Sequence, residues 1–353
     1  METFENPMGT DGFEFVEYTA PDSRALAALF EQLGFSAVAR HRSKDVTLYR
    51  QGEINFILNH EEDSFAQSFA RVHGPSVCAL AIRVRDAATA YNRALSLGAK
   101  PYHGKVGPME LNIPAIRGIG GSLIYLIDRY GSQSIYDVDF LPLPGASSAH
   151  KGVGLNVIDH LTHNVQAGRM DVWAEFYEKL FNFREIRYFD IKGTKTGLTS
   201  RALSSPCGKI KIPINEPSDN KSQIQEYLDA YHGEGIQHIA LSTEDILTTV
   251  EKLRERGVSF MDTPDGYYDK IDQRLPQHGQ DIAKLRKNRI LIDGEPLDKA
   301  GKEDLLLQIF TQTVIGPIFF EIIQRRGNEG FGEGNFQALF EAIEGDQIQR
   351  GVL

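Results

Sequence analysis

Apolar and polar residues alternate in several short runs along the chain, and each such run predicts a strand with at least one buried face. One of these runs, NVIDHLTHNV, spans residues 156–165 and contains two histidines, His160 and His163, three positions apart. Successive side chains of a strand point to opposite faces. The two imidazoles therefore face opposite sides of the sheet, and one site cannot use both unless the strand is broken.

The same order of elements occurs twice in the chain. GFEFVEYTAP and LFEQLGFSAVAR predict a strand, a helix and a second strand, and VIDHLTHN and FYEKLFNFREIRYF predict the same series. GPSVCALAIRVRDAATAYNRALSLGAKP similarly matches GEGIQHIALSTEDILTTVEKLRERGVSF, with an acidic helix start and apolar residues spaced by three and four. GGSLIYLIDR matches GPIFFEIIQR. Two similar halves are therefore predicted.

We predict an α+β fold in which each half contains two βα units with additional strands. Short strands of this kind, packed on helices, curl a sheet into a cup that can hold a ligand. The run PLPGASSAHKGVG is rich in Pro, Gly and Ser and predicts a linker. The predicted halves are residues 1–150 and 151–353.

An overlay of the two halves shows what one half has and the other lacks. It sets three potential metal ligands against residues that could not replace them as a set: His160 against Tyr18, His238 against Ala79, and Glu321 against Tyr125. The three potential ligands come from three different predicted strands. A site inside a cup is assembled in this way.

Glu321 is the strongest anomaly, because its neighbours in PIFFEII predict burial on both faces. A buried unpaired carboxylate costs several kcal/mol, so Glu321 is paired with Lys or Arg, protonated, or bound to a metal. Two imidazoles and one carboxylate form the ligand set of non-haem Fe(II) oxygenases, and the same set suits catalytic zinc. The repeat favours His160 as the ligand and leaves His163 as a hydrogen-bonded side chain on the other face.

Composition narrows the class of protein. The 353 residues exceed one typical domain, and with a net charge of −10 and scattered Lys and Arg we predict no nucleic-acid partner. No signal peptide pattern begins the sequence, and no apolar run approaches the roughly 18 residues of a membrane helix. We therefore predict a cytoplasmic protein without a membrane partner, in which Cys78 and Cys207 are free thiols.

The last segment, GNEGFGEGNFQALFEAIEGDQIQRGVL, joins several glycines to a predicted helix. Four apolar residues form one stripe of this helix: Phe336, Leu339, Phe340 and Ile343. Two interpretations remain open. The segment is either a terminal helix packed on the core, or a lid with a glycine-rich hinge that closes an aromatic face over the cup.

Four stretches, VIDHLTHNV, GEGIQHIAL, FFEIIQRRG and GFGEGNFQALFE, closely resemble the 4-hydroxyphenylpyruvate dioxygenase family. The resemblance covers nearly the whole chain, including HRSKDVTLYRQGEINFILN in the first half. It implies the vicinal oxygen chelate fold, with duplicated βαβββ modules in each half. It also implies one Fe(II) per chain, held by His160, His238 and Glu321.

The resemblance further implies conversion of 4-hydroxyphenylpyruvate and O₂ to homogentisate and CO₂, by oxidative decarboxylation, ring hydroxylation and side-chain migration. No separate 2-oxoglutarate or pterin is expected. The resemblance implies a polar network around the substrate at Ser200, Asn215, Gln223, Gln237 and Gln308. It implies aromatic walls at Phe310, Phe319, Phe331 and Phe336.

Three alternatives have different signatures. A 4-hydroxymandelate synthase uses the same metal set and substrate but hydroxylates the benzylic carbon, and it tends to be less polar around the position of Asn215. A zinc or nickel lyase of the glyoxalase kind would use a fourth protein ligand. A non-catalytic ligand-binding module would need no metal ligands. For the assembly we expect a homo-oligomer, with a tetramer favoured over a dimer.

Overall fold

The computed structural model of the chain describes residues 4–146, 151–192, 196–295, 303–332, 334–336, 347–348 and 350–351. The described residues form two curled, mixed sheets, one from each half of the chain. Helices pack on one face of each sheet, and the other face lines a cup. The predicted α+β fold with two cups is confirmed.

The first sheet has nine strands: β1 Phe13–Thr19, β2 Ser36–His41, β3 Val46–Gln51, β4 Ile54–Asn59, β5 Ser76–Arg83, β6 Pro101–Tyr102, β7 Ala115–Arg117, β8 Leu123–Ile127 and β9 Phe140–Pro142. The helices of this half are α1 Arg24–Gln32, α2 Phe65–His73, α3 Ala87–Ser96 and α4 Ile135–Asp139, with a 3₁₀ turn at Ile119–Gly121.

The second sheet has eight strands: β10 Leu155–Asn164, β11 Arg184–Lys192, β12 Gly197–Ser204, β13 Lys211–Pro217, β14 Gly235–Thr243, β15 Leu291–Glu295, β16 Asp304–Phe310 and β17 Phe319–Arg326. The described helices of this half are α5 Met170–Phe181, α6 Gln223–Tyr231, α7 Ile246–Glu255, α8 Asp265–Tyr268, α9 Ile271–Arg274 and α10 Ile282–Asn288.

The two sheets have the same strand order. The second runs β11-β12-β13-β10-β14-β17-β16-β15, and the first runs β2-β3-β4-β1-β5-β8-β7-β6, with β9 added beside β2. Each half thus contains two βαβββ modules, β1 to β4 and β5 to β8 in the first, β10 to β13 and β14 to β17 in the second. The duplicated modules are confirmed.

Matched helix ends show why the two halves fold alike. Asp86 caps α3 by accepting a hydrogen bond from the Thr89 amide, and Asp245 caps α7 in the same way. An aspartate in this position satisfies an amide that has no partner within the helix. Beyond each helix a glycine takes a positive φ, 95° at Gly98 and 86° at Gly257, a conformation that side chains disfavour. The acidic helix start predicted from the sequence is confirmed.

The register between the halves follows from strand pairing. His160 pairs with Ala240, which pairs with Glu321, whereas Phe15 pairs with Ala81, which pairs with Tyr125. Both strands also carry two matched irregularities: β10 between Ile158 and His160 and between Thr162 and His163, and β1 between Phe13 and Phe15 and between Glu17 and Tyr18. Phe15 is therefore the first-half counterpart of His160.

The sequence overlay that set Tyr18 against His160 is wrong by three positions. Tyr18 packs edge-on against Phe30 of α1, on the helix-bearing face, and corresponds to His163. All seven residues of β1 are buried, so neither face of this strand is exposed to solvent. An alternation of apolar and polar residues therefore cannot determine its register from the sequence. The irregularities in pairing are also invisible in the sequence.

One apolar core extends through both halves on the helix-bearing faces. Phe56 of the first half stacks on Phe320 of the second, with ring centroids 5.9 Å apart. Cys78 and Cys207 are free thiols, as predicted. Among the described helices, none combines the length and apolar character needed to cross a bilayer.

Candidate metal centre

Three side chains from three strands meet inside the second cup. His160 lies on β10, His238 on β14 and Glu321 on β17, and all three are at least 95% buried. Glu321 Oε2 is 3.2 Å from His160 Nε2 and 3.3 Å from His238 Nε2. One ligand atom from each of the three lies within 4.8 Å of the others, so these atoms can share one metal ion.

The outer nitrogen of each imidazole has its own partner. Asp159 Oδ1 lies 2.8 Å from His160 Nδ1, and Gln237 Oε1 lies 3.1 Å from His238 Nδ1. Oxygen acceptors at Nδ1 keep the proton there and leave Nε2 as the free electron pair of a neutral imidazole. Both Nε2 atoms are thus prepared to bind a metal.

The electrostatics of the three groups are coupled. Burial by itself would lower the pKa of His160, but the negative charge of Glu321 and the Asp159 contact raise it. Burial lowers the pKa of His238. The pKa of Glu321 stays below its ordinary value, because His160 and His238 outweigh the effect of burial. A cation held between these groups would be attracted by the carboxylate and would keep it ionised.

Arg325 connects the centre to the glycine-rich segment. Its Nε and Nη2 donate to both oxygens of Asp159, at 2.7 and 2.8 Å, and its Nη1 donates to the carbonyls of Asn328 and Gly330. This pairing holds the pKa of Asp159 well below its usual range despite burial. The aspartate is therefore ionised, and its position beside His160 is determined by a bidentate contact.

A second chain of contacts reaches Glu321. Gln308 Nε2 donates to Glu321 Oε1 at 3.2 Å, and Asn335 Nδ2 donates to Gln308 Oε1 at 3.1 Å. The Tyr267 hydroxyl donates to Asn335 Oδ1 at 2.6 Å and accepts from Arg274. Strand β17, which carries Glu321, is thus connected to the segment that follows Gly332.

Three of the predicted aromatic residues lie around the imidazoles. Phe319 stacks on His238 with centroids 4.8 Å apart, and Phe310 lies edge-on to both rings. Phe331 contacts His160 edge-on at 5.4 Å. These rings make the walls of the cup apolar around a small polar centre, as in most small-molecule sites.

A polar cluster lies on neighbouring strands of the same sheet. Asn215 of β13 pairs in register with Ser200 of β12 and with Asn164 of β10. All three are buried, and Asn215 Nδ2 contacts Asn164 Oδ1 at 3.3 Å. Ser200 Oγ, Asn215 Oδ1 and Asn164 Nδ2 have no hydrogen-bond partner among the described residues. Buried polar atoms without partners are costly, so these atoms fit a polar group of a ligand.

Gln223 and Phe336 differ from the other predicted substrate residues in their contacts. Gln223 is buried in the first turn of α6, and no hydrogen bond in the described part of the chain connects it to the centre. Phe336 is half-buried, and its ring centroid lies 5.1 Å from that of Phe189 on β11. In the strand order of the sheet, β11 is the strand farthest from β16, which carries Gln308. The other predicted stripe residues lie outside the described residues: Leu339, Phe340 and Ile343.

His163 is not part of the centre. It lies on the helix-bearing face, where its Nε2 is 2.7 Å from the Tyr177 hydroxyl, and burial lowers its pKa to about 3. The predicted structural role of His163 is confirmed. Four residues of the site were not predicted from the sequence: Asp159, Asn164, Arg325 and Asn335. Each lies within five residues of a predicted site residue, and this proximity was the available indication. Nothing in the sequence showed in which direction their side chains point.

Comparison with known sequences identifies the family. A sequence profile described as "Hydroxyphenylpyruvate dioxygenase, HPPD, N-terminal" matches residues 4–141, and one described as "Glyoxalase/Bleomycin resistance protein/Dioxygenase superfamily" matches residues 157–272. A curated protein of Pseudomonas aeruginosa, named 4-hydroxyphenylpyruvate dioxygenase, is 59% identical over 99% of this chain and 97% of its own. The chain belongs to the 4-hydroxyphenylpyruvate dioxygenase family. It is an enzyme, and the resemblance read from the sequence is confirmed.

Two further relatives of the family carry different names. A Vibrio vulnificus protein named hemolysin VllY is 64% identical over 99% of this chain and 98% of its own. A solved structure of a 4-hydroxymandelate synthase mutant from Streptomyces coelicolor has a TM-score of 0.83 at 27% identity, covering 96% of this chain and 100% of the other. The buried His-His-Glu set fits a non-haem metal centre of this dioxygenase family.

Proposed function

We propose that this protein is an Fe(II)-dependent dioxygenase that converts 4-hydroxyphenylpyruvate and O₂ to homogentisate and CO₂, with one Fe(II) per chain. The convergence of His160, His238 and Glu321 in a buried, aromatic cup carries this proposal. Relatives named 4-hydroxyphenylpyruvate dioxygenase, 52% to 59% identical over nearly the full chain, support it.

Fe(II) held by His160, His238 and Glu321 would offer open coordination positions to the 2-oxo acid and to O₂ and would supply the electron transfer that O₂ activation needs. Asp159 and Gln237 orient the two imidazoles by holding their Nδ1 atoms. Gln308 holds the second oxygen of Glu321, which leaves Oε2 facing both Nε2 atoms.

The polar cluster of Ser200, Asn215 and Asn164 is the proposed binding site of the phenol. Asn164 is four residues along β10 from His160 on the same face, about 13 Å away along the strand. The unpartnered oxygen of Ser200 or of Asn215 can accept a hydrogen bond from the phenol hydroxyl, and Asn164 Nδ2 can donate one to the phenol oxygen. A substrate anchored there presents its 2-oxo acid to the metal in one orientation.

The aromatic walls exclude water from the reacting groups. Phe310, Phe319 and Phe331 pack around the imidazoles, and their faces suit the ring of the substrate. The segment carrying Asn335 and Phe336 contacts β16 on one side of the cup and β11 on the other. We propose that it closes the cup as a lid and that its contacts with Gln308 connect closure to the ligand Glu321.

Gln223, Gln237 and Gln308 remain proposed substrate-binding residues, with Gln237 and Gln308 next to metal ligands. We also propose that residues 151–353 carry the whole site and that residues 1–150 contribute no metal ligand. A cytoplasmic homo-oligomer, with a tetramer favoured over a dimer, remains the prediction for the assembly. Size-exclusion chromatography with light scattering measures it.

Product analysis tests the proposal. The protein is reconstituted anaerobically with Fe(II) and ascorbate, 4-hydroxyphenylpyruvate and air are added, and the aromatic product is identified by chromatography and mass. Homogentisate is the expected product. Formation of 4-hydroxymandelate would keep the metal and substrate but contradict the proposed role of Asn215, and no product at all would contradict the dioxygenase assignment.

A further inference from the structure

The first cup encloses a cavity of about 400 Å³, a size at which proteins commonly hold small ligands. Strands β1, β3, β4 and β8 provide its walls, and residues 103–106 and 110–114 line its mouth. The positions that correspond to the three metal ligands hold Phe15, Ala79 and Tyr125. The metal centre proposed for the second cup therefore has no equivalent at these positions.

A buried carboxylate lies in this cavity. Glu17 is 6% exposed, and Asn59 Nδ2 donates to its Oε1 at 2.7 Å. Burial raises the pKa of Glu17 above its ordinary value. Among the described residues no Lys or Arg forms a salt bridge with Glu17. The nearby cation, Lys44, pairs with Glu110 at 2.8 Å instead. The cost of burying this carboxylate therefore lacks the usual compensation by a cation of the protein.

Strand pairing shows that the polar side of the cavity matches the proposed phenol site of the second cup. Asn59 pairs with Val46, as Asn215 pairs with Ser200, and both asparagines lie near the end of the strand that runs parallel to β1 or β10. Glu17 pairs with Ala79, as Thr162 pairs with His238. The first cup thus keeps one asparagine of the polar cluster but adds a carboxylate where the second cup has a threonine hydroxyl.

Aromatic rings complete the surroundings of Glu17. The rings of Phe15 and Tyr125 lie 5.7 Å apart, and Tyr91 and Tyr102 also line the cavity. Burial first, and the charge of Glu17 second, raise the pKa of Tyr125 well above its ordinary value, so its hydroxyl is neutral. A buried carboxylate in a cavity lined by aromatic rings suits an organic cation.

The mouth of the cavity is held in place by Glu110. Its Oε2 accepts hydrogen bonds from Lys44 Nζ at 2.8 Å and from the Gly107 amide at 2.7 Å, and its Oε1 accepts one from Ser43. These hydrogen bonds lower the pKa of Glu110 to about 2, although burial opposes the shift. The residues around Glu110 are therefore fastened to the turn between β2 and β3 at neutral pH.

We propose that the first cup binds a small aromatic molecule that carries an ammonium group. The ammonium lies against Glu17 and Asn59, and the ring packs against Phe15 and Tyr125. The ligand supplies the cation that Glu17 lacks within the described chain. The site is separate from the metal centre and from the reaction proposed there.

Calorimetric titration of the full chain, loaded with Fe(II) under anaerobic conditions, tests this site with two probes. Tyramine carries an ammonium, and tyrosol has the same ring with a hydroxyl instead. We expect tyramine to bind at least about tenfold more tightly than tyrosol. The variant Glu17→Gln keeps the shape of the side chain and should remove this preference, while turnover of 4-hydroxyphenylpyruvate stays unchanged.

A second variant and a competition experiment show which cup binds the probes. Val46→Phe fills the cavity without changing its charge and should weaken the binding of both probes. This variant keeps the proposal testable if Glu17→Gln does not fold. Equal affinity for the two probes, or no heat from either up to millimolar concentration, would overturn the proposal. Tyramine binding that survives both variants but disappears with 4-hydroxyphenylpyruvate present would assign it to the second cup and overturn the proposal too.

Discussion

The two cups have the same strand order and register but different side chains at the three positions of the candidate metal centre. The second cup has His160, His238 and Glu321 where the first has Phe15, Ala79 and Tyr125. The same backbone geometry thus occurs in both halves, whereas side chains that can hold a metal occupy these positions in the second half but not in the first. The difference shows that the fold supplies the cup, whereas a few inward-facing side chains determine its chemistry.

The carboxylates beside these positions extend the comparison. Glu14 precedes Phe15 at the irregularity of β1, and Asp159 precedes His160 at that of β10. Glu14 pairs with Arg83 at 2.5 Å, and Asp159 pairs with Arg325 but also contacts an imidazole. An ion pair at the irregularity therefore occurs in both halves, and in the second half it also contacts a proposed metal ligand, His160.

The largest effect is expected from Glu321→Gln. A neutral amide is a poorer ligand for a hard cation, so iron content should fall and turnover should drop by more than about a hundredfold with the fold retained. Metal analysis, turnover and circular dichroism measure the three quantities. The matched first-half change, Tyr125→Phe, should leave iron and turnover unchanged. Normal iron content and turnover in Glu321→Gln would contradict the metal assignment.

Asp159→Asn should have the next largest effect. The amide cannot pair with Arg325 as a carboxylate does, and it orients His160 less firmly, so iron affinity should fall by about ten- to a hundredfold. Competition with a chelator measures the affinity. Glu14→Gln is the matched control in the first half. If both variants lowered iron affinity equally, Asp159 would have only a structural role in the fold.

Phe336→Ala tests whether the last segment closes the second cup. Loss of the ring that contacts Phe189 should lower turnover severalfold by opening the cup to water, with little change in iron content. Steady-state kinetics and metal analysis measure the two effects. Phe189→Ala removes the other ring of the contact and should act in the same direction. Wild-type turnover in Phe336→Ala would favour the terminal-helix interpretation.

The smallest effect on iron content and turnover is expected on the helix-bearing faces, where His163 corresponds to Tyr18 and where a change acts on stability. Burial lowers the pKa of His163 from 6.5 to about 3, so the unfolded chain binds a proton that the folded chain excludes. The free energy of unfolding should therefore fall by about 1.4 kcal/mol per pH unit as the pH decreases from 6.5 toward 3. Urea denaturation at several pH values should show a shallower fall in His163→Gln and an unchanged one in Tyr18→Phe. Equal slopes in wild type and His163→Gln would contradict this linkage.

Much of the candidate site could be predicted from the sequence. Glu321 was visible as a carboxylate in an apolar run, and the repeat singled out His238 and Glu321 against Ala79 and Tyr125, which strand pairing confirms. The choice of His160 rested on a wrong counterpart, Tyr18, but agreed with the family resemblance. That choice stands because His160 faces the cup together with the other two residues.

The sequence by itself determined the elements, the duplication and the ligand types, since these depend on local periodicity and on residue chemistry. Only the tertiary structure decided the register between the halves, the bidentate contact of Arg325 with Asp159, and the chain from Glu321 through Gln308 to Asn335. Alternation in a sequence reports which positions are buried, whereas strand pairing and side-chain direction depend on segments far apart in the chain. The same limit hid Glu17, which looks like an ordinary strand residue until the first cup closes around it.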